Sequence, residues 1–332
     1  MSLDPRQPSV TGPSDPEHDP AASYALEPSA VKALTDRIVS TTGRSEPTYT
    51  PVTGQPLAQV PQSGEADVEE AFTRARRAQR AWAQTSLDDR AARLLRLHDL
   101  VLDRQHGIID LICWETGKAR KHAFDEPLHV ALTARYYART AREHLDTTRR
   151  IGVIPALTRV EVNHVPKGVV GIISPWNYPF NLALIDGIAA LLAGNAVVTK
   201  PDAQTMLSAL IGAQLLEEAG IPRDLWQVVA GPGPEIGPAV VARADYVCFT
   251  GSTATGRLHR AAPNVSSAAR SSSAARTRSS CSATPTSSAP PKAPSAPASP
   301  TPASSASPWS GCTSPTRSTT ASSTGSSRAR RR

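Results

Sequence analysis

Between residues 167 and 257 the chain repeats one pattern four times. An apolar run of strand length ends on a polar loop marked by glycine or proline, and a helical segment follows. The runs cover residues 168–173, 196–199, 225–229 and 246–249. Their loops read SPWNYPF, Lys200-Pro201-Asp202, GPGPEIG and TGSTATG. Helices are expected over 181–193 and 205–219, a short one after GPGPEIG, and one opening at TGSTATG. Strands that are apolar throughout and separated by helices specify an α/β fold with a parallel sheet covered on both faces. Loops that follow parallel strands share one edge of the sheet, and ligands bind at that edge. The convergence of four polar loops there says more than any one of them.

Taken singly, the loops leave alternatives open. TGSTATG sets small residues and backbone N–H groups at a helix N-terminus, which suits a phosphate, or is a plain cap through Ser252 or Thr253. Gly231, Gly233 and Gly237 are spaced GxGxxxG with prolines between them, which fits a tight turn better than a dinucleotide fingerprint. Lys200, just past a buried strand, reaches a ribose or phosphate, or is simply solvated. Pro175 and Pro179 bracket Trp176 and Asn177 in a rigid loop. It presents a planar wall and an amide donor able to stabilise a developing oxyanion.

Upstream, residues 1–50 are rich in Pro, Asp, Ser and Thr and read as a loose arm, with a short helical candidate near 30–39. Helices dominate from Glu65 to Leu145. Ala66, Phe72, Ala75, Ala78 and Trp82 fall on one helical stripe. Ser86 caps the next helix, with Asp88 and Asp89 in its first turn. Gly117, in WETGKAR, ends a helix as a C-cap. Arg74, Arg76, Arg77 and Arg80 belong to a solvated face. Residues 151–165 alternate like a strand pair.

The net charge of +7 belongs to the end of the chain. No Asp or Glu follows Asp245, and eleven Lys or Arg lie from Arg257 onward. The 36 basic residues less those eleven leave 25, against 29 acidic, so the body is mildly acidic. A basic Arg/Ser tail binds nucleic acid only electrostatically, and with Trp309 as its single aromatic no recognition module supports that role. Cys113, Cys248, Cys281 and Cys312 show neither a CxxC pair nor metal-ligand spacing, so no metal site and reduced thiols are expected. The N-terminus has no apolar signal core, and the run 182–198 is broken by Asp186, Gly187, Gly194 and Asn195. A cytoplasmic protein without membrane spans is the expectation.

The order WETGK, PWNYPF, GNAVVTKP, a Gly-rich turn and FTGSTATGR resembles the aldehyde dehydrogenase superfamily over residues 52–257. The wording WNYPFNLALIDGIAALLAGNAVVTKPDAQT is most similar to its succinate-semialdehyde dehydrogenases. The resemblance implies a Rossmann-like cofactor-binding domain over 51–257, a homo-oligomer, and NAD(P)-dependent oxidation of a small-molecule aldehyde. In that chemistry a cysteine thiolate attacks the aldehyde, hydride passes to the nicotinamide and water hydrolyses the thioester. By motif match, Asn177 is the oxyanion donor, Ser174, Pro175 and Trp176 line the cofactor cleft, Lys200 binds the adenosine ribose, and Gly251 and Ser252 hold the pyrophosphate; Asp202 and Gly231 complete the cofactor set. Many NAD-preferring relatives carry Glu three residues after the Lys. Ala203 stands there, which removes a repulsion against a 2′-phosphate and tilts the expectation from NAD towards NADP.

Two further family motifs are absent: Glu-Leu-Gly-Gly-Lys, with the general base, and Gly-Gln-x-Cys, with the nucleophile. Ser, Ala, Pro, Thr and Arg take over after Arg257, so residues 258–332 read as a disordered tail. The genetic code recovers both motifs. Residues 272–278, SSAARTR, written with suitable synonymous codons and regrouped one base earlier, give Glu-Leu-Gly-Gly-Lys-Asn-Pro. Residues 301–307, treated alike, give Asn-Ala-Gly-Gln-Leu-Cys-Ile, with the cysteine codon straddling Ser305 and Ala306. A frameshift between about Arg257 and Ser271 accounts for both, and leaves a chain without nucleophile or base and with incomplete oligomer contacts. The competing readings are a non-catalytic nucleotide-binding or interaction module and the nucleic-acid binder. Resequencing the DNA of this interval is expected to find the frame change; an uninterrupted frame without the shifted motifs overturns it.

Overall fold

The computed structural model describes residues 28–154, 157–260 and 270–272. Helix α1 (Pro28–Thr35) leads to a hairpin of β1 (Ser45–Tyr49) and β2 (Pro56–Pro61). Helices α2 (Glu65–Ala83), α3 (Leu87–Asp103), α4 (Gln105–Thr116), α5 (Arg120–Ala123) and α6 (Asp125–Leu145) follow, then a second hairpin, β3 (Thr148–Ile151) and β4 (Arg159–Val162). The alternating part is β5 (Val169–Ile173), α7 (Pro179–Leu192), β6 (Ala196–Lys200), α8 (Met206–Glu218), β7 (Trp226–Val228), α9 (Gly233–Arg243), β8 (Tyr246–Thr250), α10 (Thr253–Arg260) and β9 (Arg270–Ser272).

The sheet has the order β7-β6-β5-β8-β9, parallel throughout, so the α/β expectation holds. The chain steps from β5 through β6 to β7, then crosses back to place β8 on the other side of β5. Helices α7 and α8 pack together on one face of the sheet, and α9 packs with α2 on the other. Every residue of β5 and β6 is buried, as a strand covered on both faces requires. Helices α3, α4 and α6 form a further layer against α7 and α8.

The local punctuation works as expected. The Ser86 Oγ accepts the Asp89 N–H at 3.1 Å and caps α3. Gly117 ends α4 with φ +70°, which glycine adopts without strain. Helix α7 starts two residues before its expected position, because Pro179 supplies the preset φ of a first helical residue. On α2 the buried stripe runs through Val68, Ala71, Phe72, Ala75 and Trp82, whereas Ala66 is exposed.

Three expectations need correction. Residues 28–50 are not a loose arm: Leu34, Ile38 and Val39 are buried, and the Val39 N–H donates to Val228 O at 2.9 Å, which extends the sheet beside β7. Hydroxyls make this possible in a polar sequence, with Ser40 Oγ donating to Gln62 O and Ser63 Oγ to Val39 O, each at 2.6 Å. The second hairpin begins at Thr148, three residues before the expected start. Of the expected disordered tail, residues 258–260 finish α10, and 270–272 form β9 beside β8. Strand pairing uses backbone groups alone, so an Arg-Ser-Ser segment can occupy the open edge of β8. The rest of that tail, with Cys281, Cys312 and Trp309, lies outside the described residues, as do residues 1–27.

Gly187 shows how closely α7 approaches the sheet. A Cβ there would lie 2.2 Å from the Trp226 ring and 3.1 Å from Ile172 Cδ1. Alanine would gain about 1 kcal/mol of helix propensity but forces two buried side chains apart. Gly187→Ala is expected to lose about 1–3 kcal/mol net, read as a lower urea midpoint with unchanged m-value.

Candidate nucleotide site

The strand order reverses between β5 and β8, so the crevice of this sheet opens at their carboxyl ends. The loop after β5 carries Ser174, Pro175, Trp176 and Asn177. The loop after β8 carries Gly251 and Ser252. Lys200 ends β6, the next strand over, opposite Ile173. The Ser174 N–H donates to Lys200 O at 3.3 Å and ties the loop after β5 to the end of β6. Gly231 ends the loop after β7, at the sheet's edge and two strands from the crevice. Its φ of +150° and a virtual Cβ 2.6 Å from Ile236 Cγ1 explain that glycine as a turn requirement.

Side chains at this edge have unmet hydrogen-bonding capacity. Ser174 Oγ, Asn177 Oδ1, Thr199 Oγ1 and Thr205 Oγ1 are buried without a partner among the described residues. Buried polar atoms are nearly always satisfied, so these four are open to a ligand or water. Trp176 is 56 % exposed, and a Cβ on Gly251 would meet the Phe249 ring at 2.6 Å, so that turn needs glycine. The orphaned atoms, the Gly251 turn and the α10 N-terminus together fit a dinucleotide.

Lys200 is not solvated. It is 5 % exposed, and its Nζ donates to Pro201 O at 3.1 Å. Burial pushes its pKa down, and the Asp202 carboxylate works in the opposite direction. Asp202 also shapes the backbone, because its Oδ1 accepts the Gln204 N–H at 3.0 Å and caps the short turn Ala203–Thr205. Trp176, Ala203, Gln204 and Thr205 line a cavity of about 550 Å³ together with Glu115 and with Tyr49 and Pro51 of the first hairpin. Gly251 and Ser252 are not part of its lining.

Two carboxylates that motif reading passed over sit behind these loops. Glu115, near the end of α4, is 4 % exposed; its Oε1 accepts the Leu207 N–H and its Oε2 the Ser208 N–H, both at 2.7 Å. Glu126, on α6, is fully buried; its Oε2 accepts the N–H groups of Phe180 and Asn181 at 3.0 and 3.1 Å. The Lys118 ammonium donates to Glu126 Oε1 at 2.6 Å and lies 4.0 Å from the Tyr178 ring centroid. Burial raises the pKa of Glu126, while Lys118 pulls it down. Burial pushes Glu115 up to about 7; its bonds to Ser208 and Leu207 lower it, and the Glu126 charge adds to the rise. A Glu inside the apolar helix run DLICWET was the available signal, since a charge on a buried helix face needs partners.

Among the described residues no group of three or more His, Cys, Asp or Glu is placed to hold a metal ion, and no helix is long and apolar enough to cross a membrane. Cys113 and Cys248 are buried thiols.

A parallel, doubly covered sheet with a polar crevice at its switch point defines the nucleotide-binding α/β class. The chain belongs to the aldehyde dehydrogenase family, whose pattern it matches over residues 38–270. A Mycolicibacterium smegmatis protein, named a putative succinate-semialdehyde dehydrogenase for NADP(+), is 50 % identical over 214 residues, which are 64 % of this chain and 41 % of that protein. The NAD-dependent benzaldehyde dehydrogenase of Corynebacterium glutamicum superposes with TM-score 0.64 at 32 % identity, over 71 % of this chain and 52 % of its own. The NADP-dependent glyceraldehyde-3-phosphate dehydrogenase of Bacillus halodurans C-125, solved with NADP, superposes with TM-score 0.63 at 33 % identity, over 67 % and 48 %. The chain thus spans about half, or less, of the relatives it matches.

Glu115 makes stability depend on pH. Its proton is held more tightly folded than unfolded, so its contribution is full below pH 4.5 and is lost as pH rises through about 7. Urea unfolding at pH 5 and pH 8 is expected to show a loss to which Glu115 contributes at most about 3 kcal/mol; Glu115→Gln is expected to shrink the loss without abolishing it, because Glu126 is raised as well.

Proposed function

We propose that residues 38–270 form the dinucleotide half of an aldehyde dehydrogenase of the succinate-semialdehyde type, with NADP favoured over NAD. The observation that carries this reading is the set of orphaned polar atoms at the carboxyl edge, in a chain that belongs to this family. The smegmatis relative's name supports the substrate and the cofactor, and Ala203 supports NADP by leaving no carboxylate at that position.

The roles proposed for these residues are those that the family motifs imply. Lys200, released from Pro201 O, donates to the adenosine ribose. The α10 N-terminus, with the Gly251 and Ser252 amides, holds the pyrophosphate. Ser174, Pro175 and Trp176 wall the nicotinamide side. The Asn177 amide donates to the oxygen of the aldehyde as negative charge develops on it. The dinucleotide, when bound, supplies the hydride acceptor.

The nucleophile and general base are proposed to lie in the alternative frame. The sheet register supports this placement. The shifted Glu codon falls across Ser271 and Ser272, and these residues of β9 sit opposite Phe249 and Thr250, at the end of β8 where the Gly251 loop begins. In its present frame the chain has neither group, so it binds the dinucleotide without turning over. Oligomer contacts, formed by family members, are incomplete in this frame.

Titration of the purified chain with NADPH, followed by fluorescence, is expected to show saturable binding that Lys200→Ala weakens about tenfold. Succinate semialdehyde with NADP is expected to yield no NADPH. Turnover by the chain refutes the loss of catalysis; absence of NADPH binding refutes the nucleotide reading.

A further inference from the structure

Helices α7 and α8 begin in the same unusual way. Neither has a side-chain cap of its own, with Tyr178 and Thr205 at the cap positions. In α7 the first residue is Pro179, which has no N–H, and the next two amides, Phe180 and Asn181, both go to Glu126. In α8 the second and third amides, Leu207 and Ser208, both go to Glu115. Each carboxylate comes from another helix, α6 and α4 respectively, and each is at least nine-tenths buried. Two groups capping two helices would be simpler to provide locally with Ser or Asp. A local cap cannot fix where a helix starts relative to the helix layer behind it; a buried carboxylate on that layer can.

The segments just upstream of the clamped turns are the cleft loops. Residues 174–178 run from the end of β5 into Phe180, and residues 200–205 run from the end of β6 into Leu207. Lys118 extends the first clamp: it pairs with Glu126 and stands against the Tyr178 ring, next to Asn177. The turn at Gly117 joins the two clamps, since Glu115 precedes it by two residues and Lys118 follows it directly. WETGK is therefore one unit that reaches both loops.

We propose that Glu115 and Glu126 are positioning residues of the nucleotide cleft, Glu126 with Lys118 setting the loop of Ser174–Asn177 and Glu115 setting the loop of Lys200–Asp202. What the loops bind rests on the dinucleotide reading above; what holds them rests on these hydrogen bonds alone. At Glu115 a glutamine keeps one acceptor oxygen and turns an NH₂ donor towards the second amide, so one of the two bonds is lost at nearly constant volume. At Glu126, where Oε2 accepts both amides and Oε1 accepts from Lys118, a glutamine sets its NH₂ either against the Lys118 ammonium or against both amides, so the clamp loses one side whichever way it turns.

The test uses the full chain at pH 8 as wild type, Glu115→Gln, Glu126→Gln and the charge-keeping Glu115→Asp and Glu126→Asp. Hydrogen exchange is followed in peptides spanning 174–182 and 200–208, together with NADPH affinity. Glu126→Gln is expected to speed exchange in 174–182 by about tenfold and leave 200–208 near wild type; Glu115→Gln does the reverse. The Asp variants, which keep the carboxylate one methylene short, are expected to restore part of the protection, and they replace a Gln variant that fails to fold. Where wild type binds NADPH, each Gln variant is expected to bind about tenfold more weakly. Unchanged exchange, equal acceleration of both peptides, or loosened loops with undiminished affinity overturns the proposal. If wild type binds no NADPH, the dinucleotide reading fails, and the two-peptide pattern alone decides whether the carboxylates hold the loops.

Discussion

The structure depends on β5 having a parallel neighbour on each side, reached by chain running in opposite directions. Parallel pairing buries both faces of the strand, which is why Val169–Ile173 contains no polar side chain. It also forces helices onto both sides at close range. At Gly171 a Cβ would lie 2.9 Å from Ala244 Cβ on the α9 side, and at Gly187 one would strike Trp226 on the α7 side. The crevice at the carboxyl end of β5 is a by-product of the same geometry, because the loops after β5 and β8 must diverge to opposite faces. The fold thus creates the site before any functional side chain is placed in it.

A consequence concerns helix N-termini, of which four point to that edge. Each offers unpaired amides and a positive dipole end to an anion. Two of them, on α7 and α8, are already filled by Glu126 and Glu115. A phosphate there would have to displace a buried carboxylate and strand its charge. Helix α10 differs. Among the described residues its cap is its own Ser252, whose Oγ accepts the Thr255 N–H at 3.2 Å. Under the dinucleotide reading proposed above, the internal carboxylates would leave the Gly251 turn, and not the N-termini of α7 and α8, to take a phosphate.

Much of this was legible in the sequence, for identifiable reasons. The four apolar runs marked out the parallel sheet because full burial leaves no alternation to confuse them, and Ser86 and Gly117 marked helix ends through local backbone chemistry, whereas Pro179, read as part of a rigid loop, is the first residue of α7. The ordered segment at residues 28–50 was not legible: its order comes from hydroxyls and backbone amides meeting residues 60–63 and 228–230, which composition does not reveal. Lys200 shows the same limit. As a sequence element it reads either as a base reaching a ribose or phosphate or as a solvated one; the burial of its side chain excludes the second. Glu115 and Glu126 escaped because each is defined by amides 54 to 93 residues away, and no local pattern encodes such a pairing.

The remaining apolar surface sets a limit on the chain by itself. Phe124, Leu128, Leu132 and Tyr136, at four-residue spacing, place an exposed apolar stripe along α6. In the second hairpin Ile151 is 91 % exposed and Val153 95 %, while Val160 and Val162 of β4 are also exposed. A two-stranded hairpin has little stability in water without a surface to pack on. Its antiparallel register is held by backbone bonds and by the surface pairs of Glu161 with Arg149 and Arg159, which contribute little. The sheet core is therefore the stable unit of the described residues and the hairpin its weakest part. The exposed stripe and hairpin together form the kind of apolar surface that promotes association when left uncovered.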